Sequence, residues 1–177
     1  MSSDVQGFVS TELVTTFMAT LLILGLVGVI ASFVSPAVRA MLEPGRLQVA
    51  AAVAVLATLS SLYLSEIADF DPCRYCWWQR IFMYPMAILL PIAAWKNDHT
   101  IRRYALPLAI IGGGISIRHI WLQAFPDDGG SCGISAPCSA KLVEAFGFIT
   151  IPQMTGLSFL LIVLLLAVRT TPPEEIR

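Results

Sequence analysis

Long apolar runs, separated by short polar stretches, make up most of this chain. A helix needs about 20 mostly apolar residues to cross a bilayer. Five runs approach that length: Leu13–Val34, Leu47–Leu64, Trp77–Trp95, Tyr104–Phe125 and Phe146–Val168. The runs are too long for core strands and lack the alternation of a barrel strand. Because lipid leaves only helices and closed barrels as spanning structures, the pattern predicts an all-α polytopic membrane protein with five transmembrane helices.

The first apolar run has a second interpretation, because a secretory signal also begins a chain with an apolar segment. A signal carries a positive n-region and an apolar stretch of about 7–15 residues. No Lys or Arg precedes Leu13, and the run Leu13–Val34 is longer than such a stretch. Both features favour a retained helix over a cleaved signal.

Composition supports a membrane protein and argues against a nucleic-acid-binding protein. The 177 residues are 56% hydrophobic and only 13% charged, whereas a typical globular domain has about 25% charged residues. The formal net charge is -1, and a nucleic-acid surface needs a basic patch. We therefore expect a single membrane domain whose surroundings are the lipid bilayer, with no nucleic acid partner.

The distribution of Lys and Arg orients the chain, because cytoplasmic segments of membrane proteins are enriched in these residues. If the N-terminus lies outside, the inner segments hold Arg39, Arg46, Lys96, Arg102, Arg103, Arg169 and Arg177. The outer segments then hold only Arg74, Arg80 and Lys141. This asymmetry predicts an outer N-terminus.

Short polar segments join the predicted helices. Ser35–Arg46, which contains Pro and Gly breakers, is expected to be an inner connection, and Lys96–Arg103 a tight inner hairpin. Pro126–Gly130 is expected to be a flexible exit from the fourth helix. Apolar residues recur at helical spacing in Ser139–Phe146, which predicts a short amphipathic helix on the outer surface. The tail Thr170–Arg177 is expected to be disordered.

Four cysteines form two close pairs, Cys73 with Cys76 and Cys132 with Cys138, and both pairs fall in predicted outer segments. The outer compartment is oxidising, so disulfides can persist there. Two dithiols beside a membrane can exchange electrons with each other, with a lipid-soluble carrier and with an outside protein. The four cysteines are therefore the candidate catalytic residues.

The first pair stands at the expected N-terminal end of the third helix, where the helix dipole favours a thiolate. Arg80 follows Cys76 by four residues, so the two side chains can share a helix face. The arginine keeps its charge and could stabilise a thiolate or polarise the carbonyl of a bound ligand. Trp77 and its aromatic neighbours add flat apolar surface, which suits a quinone ring. The plainer alternatives are an interfacial aromatic belt and a snorkelling arginine.

The second pair encloses only five residues, so a Cys132–Cys138 disulfide would add little entropic stabilisation. An exposed disulfide in a short loop is open to attack by the thiolate of another protein, and a structural bridge is the alternative. A zinc site fits less well, because the spacing is wider than the usual two to four residues.

Two ionisable residues, Arg118 and His119, interrupt the fourth apolar run. Such residues are costly in lipid and are functional candidates for that reason. Adjacent helical residues point about 100° apart. We expect His119 to face inward, as a donor to a ligand carbonyl or as a proton source, and Arg118 to reach the headgroups.

Three segments resemble the DsbB family of disulfide-forming membrane oxidoreductases, and most closely its BdbC-type branch. They are Ser61–Glu66, Cys73–Pro85 with its Cys-x-x-Cys-Trp-x-Gln-Arg pattern, and Phe146–Pro152. The resemblance implies a four-helix bundle over residues 47–169. Residues 1–46 would add one N-terminal transmembrane helix with its inner connection, and residues 170–177 a disordered tail.

The resemblance also implies a function. It implies a membrane protein-dithiol:quinone oxidoreductase that reoxidises a DsbA-like thioredoxin-fold protein and reduces ubiquinone or menaquinone. The location implied is the bacterial plasma membrane, with the redox loops on the extracytoplasmic side. Quinone contact maps onto Arg80, and the fourth-helix histidine of the family maps onto His119.

The order of sulfur attack is also implied by the resemblance alone. In that order the partner attacks Cys132, Cys138 attacks Cys73, and Cys76 faces the quinone, whereas spacing would allow the reverse order within either pair. Two other functions stay open at this point. One is a reductase of the vitamin K epoxide reductase type, although its quinone-facing Cys-x-x-Cys follows the loop pair. The other is a membrane scaffold with structural disulfides.

Overall fold

The protein is mainly helical. A computed structural model describes residues 2–125, 138–139 and 143–167, with side chains from residue 11 onward. The α-helices are α1 (Ser2–Val34), α2 (Pro36–Leu42), α3 (Arg46–Glu66), α4 (Arg74–Lys96), α5 (Arg102–Ala124) and α6 (Ile151–Ala167). A 3₁₀ turn (His99–Ile101) precedes α5, and a hairpin of β1 (Glu144–Ala145) and β2 (Ile149–Thr150) precedes α6. An all-α membrane protein is confirmed at this level.

Three helical stretches in the described part of the chain are long and apolar enough to cross a membrane: Thr11–Val34, Arg46–Glu66 and His99–Ala124. Helix α6 is a shorter apolar helix. Helix α4 has 23 residues, but polar side chains in its first turns lower its hydropathy. The total of five transmembrane helices therefore stays a prediction.

Four helices pack in a ring, and α1 lies against its outside. In the ring α3 contacts α4, α4 contacts α5, α5 contacts α6, and α6 contacts α3, while α1 contacts α6 and α3. The buried core includes Phe159, Met86 and Leu90. Helices α5 and α6 approach closely at Gly112, where an added Cβ would overlap the ring of Phe159. The small residue lets a large aromatic ring fill the centre of the bundle.

Local signals set both ends of α4. Cys73 is the N-cap residue with extended backbone, and its sulfur accepts a hydrogen bond from the Cys76 N–H (3.4 Å). At the other end Asn97 adopts the left-handed conformation (φ 50°), which ends many helices. The expected tight hairpin between α4 and α5 is confirmed, and the 3₁₀ turn lies within it.

Three sequence expectations need correction. The connection Ser35–Arg46 contains the short helix α2. The predicted amphipathic helix Ser139–Phe146 is wrong over its described C-terminal part, because Glu144–Ala145 is a strand paired with Ile149–Thr150. The last helix begins at Ile151 rather than at Phe146. The segments Pro126–Gly130 and Thr170–Arg177 lie outside the described residues.

The hairpin replaces the predicted helical start for local reasons. Phe146 and Gly147 both have positive φ (55° and 77°), as a tight hairpin turn requires. The Thr150 hydroxyl donates to Gln123 on α5, and the Thr150 N–H donates to the side-chain oxygen of Gln153 on α6 (both 2.8 Å). These bonds fasten the hairpin to the bundle and begin α6 at a fixed point.

The alternating helix directions give the bundle two chemically different ends. Cys73, Cys138 and the hairpin lie at one end, called here the cysteine end. Arg46, Lys96 and Arg102 lie at the opposite, basic end. At the basic end Arg102 donates to the Ala167 carbonyl oxygen (3.4 Å) near the end of α6, where a cation complements the helix dipole.

Candidate active site

The first dithiol lies at the start of α4. The sulfurs of Cys73 and Cys76 are 2.9 Å apart, and both residues are free cysteines. Cys73 precedes the helix and is buried, whereas Cys76 lies in its first turn and is half-buried. One turn of backbone therefore directs the two sulfurs toward different surroundings.

Cys73 lies beside His119 of α5. The His119 Nε2 atom is 3.6 Å from the Cys73 sulfur and 3.2 Å from the carbonyl oxygen of Cys138. The imidazole is 2% exposed, and Tyr75 stacks on it with ring centroids 5.5 Å apart. His119 thus contacts the first cysteine pair and the segment that carries the second.

The second pair is described only in part. Cys138 is buried and disulfide-bonded. Cys132, its partner in the sequence prediction, lies outside the described residues. The position of Cys138 nevertheless brings the second cysteine-containing segment to the Cys73 side of the first pair.

The surroundings of Cys73 favour its thiolate. The Cys76 thiol beside it lowers the pKa of Cys73 to about 4, and contact with His119 and the Cys76 N–H act in the same direction against the effect of burial. Hydrogen bonds to the charged form lower a thiol pKa in this way. Cys73 is therefore the thiol of this pair that loses its proton first.

On the other side, Cys76 lines a cleft with an empty volume of about 910 Å³. Arg80 and Tyr84 line the same cleft. The three residues follow one another at intervals of four, which places them along one face of α4. Residues that carry a sulfur, a cation and a hydroxyl thus line one side of the cleft.

Arg80 is held in place by α3. Its Nε donates to the Ser61 hydroxyl (2.9 Å), and one terminal nitrogen donates to the Ser61 carbonyl oxygen (3.0 Å). The guanidinium carbon lies 5.3 Å from the ring centre of Trp77, a distance typical of a cation–π contact. These contacts fix the cation at the cleft beside Cys76.

Tyr84, which also lines the cleft, carries a hydroxyl that no described residue bonds. Its hydroxyl oxygen is buried and has no hydrogen-bond partner among the described residues. A buried hydroxyl without a partner costs free energy, so an acceptor on a bound ligand would satisfy it. A carbonyl-bearing ring fits the nearby cation and the mainly apolar lining of the cleft.

The site residues predicted from the sequence fall on two sides of the first cysteine pair, the side of Cys73 and the side of Cys76. Cys73, His119 and Cys138 lie together, and Cys76 and Arg80 line the cleft. Trp77 contacts Arg80 and is half exposed, and neither Trp77 nor His119 is among the residues that line the cleft. The expected inward orientation of His119 is confirmed, and its neighbour on α5 is exposed. The roles assigned to all these residues stay predictions.

Sequence reasoning gave no polar role to three side chains of this site, although Tyr84 is one of the aromatic neighbours it named. The Tyr84 hydroxyl could have been found, because it continues the four-residue series that begins at Cys76. Ser61 on α3 clamps Arg80, and Gln79 both lines the cleft and donates to Ser116 on α5 (3.0 Å). The last two act across helices, so no spacing within one segment indicates them.

A metal ion could in principle use part of this cluster. Cys73, Cys76 and His119 each offer one ligand atom, and these three atoms lie within 4.8 Å of one another. Structural zinc sites take four protein ligands. A zinc function would therefore need a further ligand or an open coordination position here.

Comparison with known proteins assigns the chain to a family. Residues 44–169 match the sequence model of the family described as "Disulfide bond formation protein DsbB". The chain belongs to the DsbB family. Disulfide bond formation protein C of Bacillus subtilis (strain 168) is 46% identical over 114 residues, which cover 63% of this chain and 83% of that protein. A probable disulfide formation protein of Deinococcus radiodurans is 42% identical over 143 residues, covering 73% and 94%. No solved structure matches.

DsbB membership confirms the resemblance seen in the cysteine motif and the Phe146–Pro152 segment. It makes the chain a membrane oxidoreductase of disulfide formation. The matched region begins after α1 and includes the four helices of the ring. Helix α1 is thus an addition to the part of the chain that the family shares.

Proposed function

We propose that this protein oxidises the dithiol of an extracytoplasmic thioredoxin-fold protein and passes the two electrons to a membrane quinone. One observation carries this proposal. The two sulfurs of a single Cys-x-x-Cys lie 2.9 Å apart, yet one lies beside His119 and the Cys138 segment while the other lines a cleft with Arg80.

The thiol steps are ordinary exchange reactions. A thiolate of the partner attacks Cys132, which breaks the Cys132–Cys138 disulfide and releases the Cys138 thiolate. The second thiolate of the partner displaces Cys132, and the partner leaves oxidised. Cys138 then attacks the Cys73–Cys76 disulfide at Cys73, which releases Cys76 as a thiolate. Cys132 resolves the Cys73–Cys138 bond, so the second disulfide is restored and Cys73 and Cys76 end as the reduced pair.

Residues around the two sulfurs support these steps. His119 holds the carbonyl oxygen of Cys138 and the sulfur of Cys73 around one ring nitrogen, so the backbone of Cys138 already lies beside the residue that its thiolate would attack. Arg80 supplies a fixed positive charge at the cleft that Cys76 lines. A bound quinone supplies the acceptor for two electrons, with two protons, as the Cys73–Cys76 disulfide forms again. Arg80 and Tyr84 would hold its carbonyl oxygens.

Steady-state turnover tests the proposal. Purified protein is mixed with a reduced thioredoxin-fold partner and a short-tailed quinone, and both products are measured. We expect one quinone reduced for each disulfide formed in the partner. Partner oxidation that continues without quinone consumption would contradict the proposal, as would quinone reduction without the partner.

We also place the cysteine end outside the plasma membrane of a bacterial cell. The described basic residues at the opposite end support this orientation. A membrane-impermeant thiol reagent added to intact reduced cells should label the cysteine end. Labelling that requires broken membranes would contradict the orientation.

A further inference from the structure

We propose that α1 forms a wall of the quinone cleft and selects which quinone rings reach Cys76. This inference rests on the proposed function and deepens it. The family match begins at residue 44, so α1 (Ser2–Val34) lies outside the region that this chain shares with the family. Four of its residues nevertheless line the cleft: Val14, Thr15, Met18 and Leu22.

The burial pattern shows which face of α1 meets the bundle. Thr15, Met18 and Leu22 are 2–8% exposed and recur at helical spacing. On the other side, Leu13 and Phe17 are more than 60% exposed, as expected of side chains that face lipid. The cleft-lining residues therefore belong to the buried face of α1.

Contacts at two levels hold α1 across the cleft. Toward the basic end, Gly25 lies against α6, where an added Cβ would stand 2.9 Å from a methyl carbon of Leu161. Near its N-terminal end, α1 contacts β1. Between these contacts the helices separate enough to leave the cleft. Helix α1 thus closes a side that would otherwise face the bilayer.

The wall on α1 differs in chemistry from the wall on α4. Val14, Met18 and Leu22 are apolar, and the Thr15 hydroxyl already donates to the Thr11 carbonyl oxygen (2.9 Å). The opposite wall carries Arg80 and Tyr84, and the Tyr84 hydroxyl has no partner among the described residues. A ring held by polar groups on α4 would rest its flat apolar surface against α1. The width of the cleft at Met18 would then determine whether single-ring or fused-ring quinones bind better.

Two substitutions at Met18 test this wall in the full-length protein. Met18→Trp should fill the cleft and weaken binding of a short-tailed benzoquinone and of menadione, a fused-ring naphthoquinone, by about 5- to 150-fold, since overpacking a site costs about 1–3 kcal/mol. Met18→Ala should widen the cleft and shift the preference toward menadione. Phe17→Trp is the matched control, because it adds the same ring on the lipid-facing side. Equilibrium binding and turnover are both measured.

The possible outcomes distinguish a failure of this inference from a failure of the proposed function on which it rests. Single-turnover oxidation of the partner without quinone should stay the same in all three variants, which also reports correct folding. If the unmodified protein binds neither quinone, the proposed function fails. If it binds both, and Met18→Trp and Met18→Ala leave affinity and preference unchanged, α1 is not a wall of the site. Should Met18→Trp not fold, an unchanged preference in Met18→Ala overturns the inference by itself.

Discussion

The two sulfurs of the first cysteine pair are close together, but the surroundings of Cys73 and Cys76 are very different. Cys73 lies against a buried imidazole and the Cys138 segment, in closely packed surroundings. Cys76, whose sulfur is 2.9 Å away, lines a cleft together with Arg80 and Tyr84. In the proposed function, one turn of helix separates the sulfur that exchanges with protein thiols from the sulfur that meets the membrane ligand.

This difference shows how one Cys-x-x-Cys can serve two reactants. The N-cap position keeps Cys73 before the helix, and the first turn places Cys76 above Arg80 and Tyr84. In the proposed mechanism, reactants on the two sides need not compete for space, and two electrons pass between them as the Cys73–Cys76 disulfide is reduced and formed again. Each side should therefore respond separately to substitution.

The largest effect is expected from Cys76→Ser. Without the Cys73–Cys76 disulfide, steady-state quinone reduction should fall by about three orders of magnitude or more, as expected when a reacting group is removed. The Cys132–Cys138 disulfide can still oxidise one equivalent of partner. Counting partner disulfides per protein should give a single burst, and sustained turnover would contradict a role for Cys76.

Arg80→Ala should impair the reaction with quinone at the cleft and leave the exchange with the partner unchanged. Loss of a hydrogen bond from a charged group costs about 1.5–3 kcal/mol, so the KM for quinone should rise about 10- to 150-fold. Arg80→Lys keeps the charge but loses the pair of hydrogen bonds to Ser61. Its KM for quinone should lie between those of the unmodified protein and Arg80→Ala. Single-turnover exchange with the partner should not change. An equal loss in both assays would contradict the separation of the two sides.

The Cys73 side can be tested by pH. Because the pKa of Cys73 is lowered to about 4, its thiolate is present above that pH and is lost as pH falls through it. Alkylation of the reduced protein should follow this profile. His119→Ala removes a contact that lowers the pKa of Cys73. The midpoint of the alkylation profile should therefore move to higher pH, and the rate of Cys73 alkylation near pH 4 should fall several-fold. Arg118→Ala, on the exposed neighbour, is the control, and the same shift in both variants would contradict the role of His119.

The smallest effect is expected from Tyr84→Phe. A neutral hydrogen bond contributes about 0.5–1.5 kcal/mol, so quinone affinity should fall about two- to tenfold. The substitution also removes a buried hydroxyl that has no partner in the described part of the chain, so the free energy of unfolding without quinone should stay the same or rise. Tyr104→Phe changes an exposed tyrosine and serves as the control. A large loss of stability in Tyr84→Phe would mean that the hydroxyl is structurally required.

The sequence predicted the long helices because their apolar runs greatly exceed the length of a strand. It did not predict the hairpin, because the apolar residues of Ser139–Phe146 imitate a helical period while the turn depends on positive φ at Phe146 and Gly147. Helix α2 was missed since its seven residues are too few to show a period beside Pro and Gly.

The site was predictable where it follows one helix. The interval from Cys76 to Arg80 placed both on one face of α4. The 100° step between neighbours pointed Arg118 and His119 in different directions, and the histidine was the one expected to face inward. The clamp by Ser61 and the contact of His119 with Cys73 join different helices, so helical spacing does not show them. The position of α1 over the cleft is a tertiary feature of the same kind.

The most direct measurement asks which sulfur of the first pair reaches Cys138. Two double variants leave one candidate each: Cys76→Ser with Cys132→Ser keeps Cys73 and Cys138, and Cys73→Ser with Cys132→Ser keeps Cys76 and Cys138. After mild oxidation, disulfide-linked peptides are identified by mass. We expect rapid formation of the Cys73–Cys138 bond and little Cys76–Cys138 bond. Equal or faster formation of the Cys76–Cys138 bond would contradict the division of the dithiol between two sides.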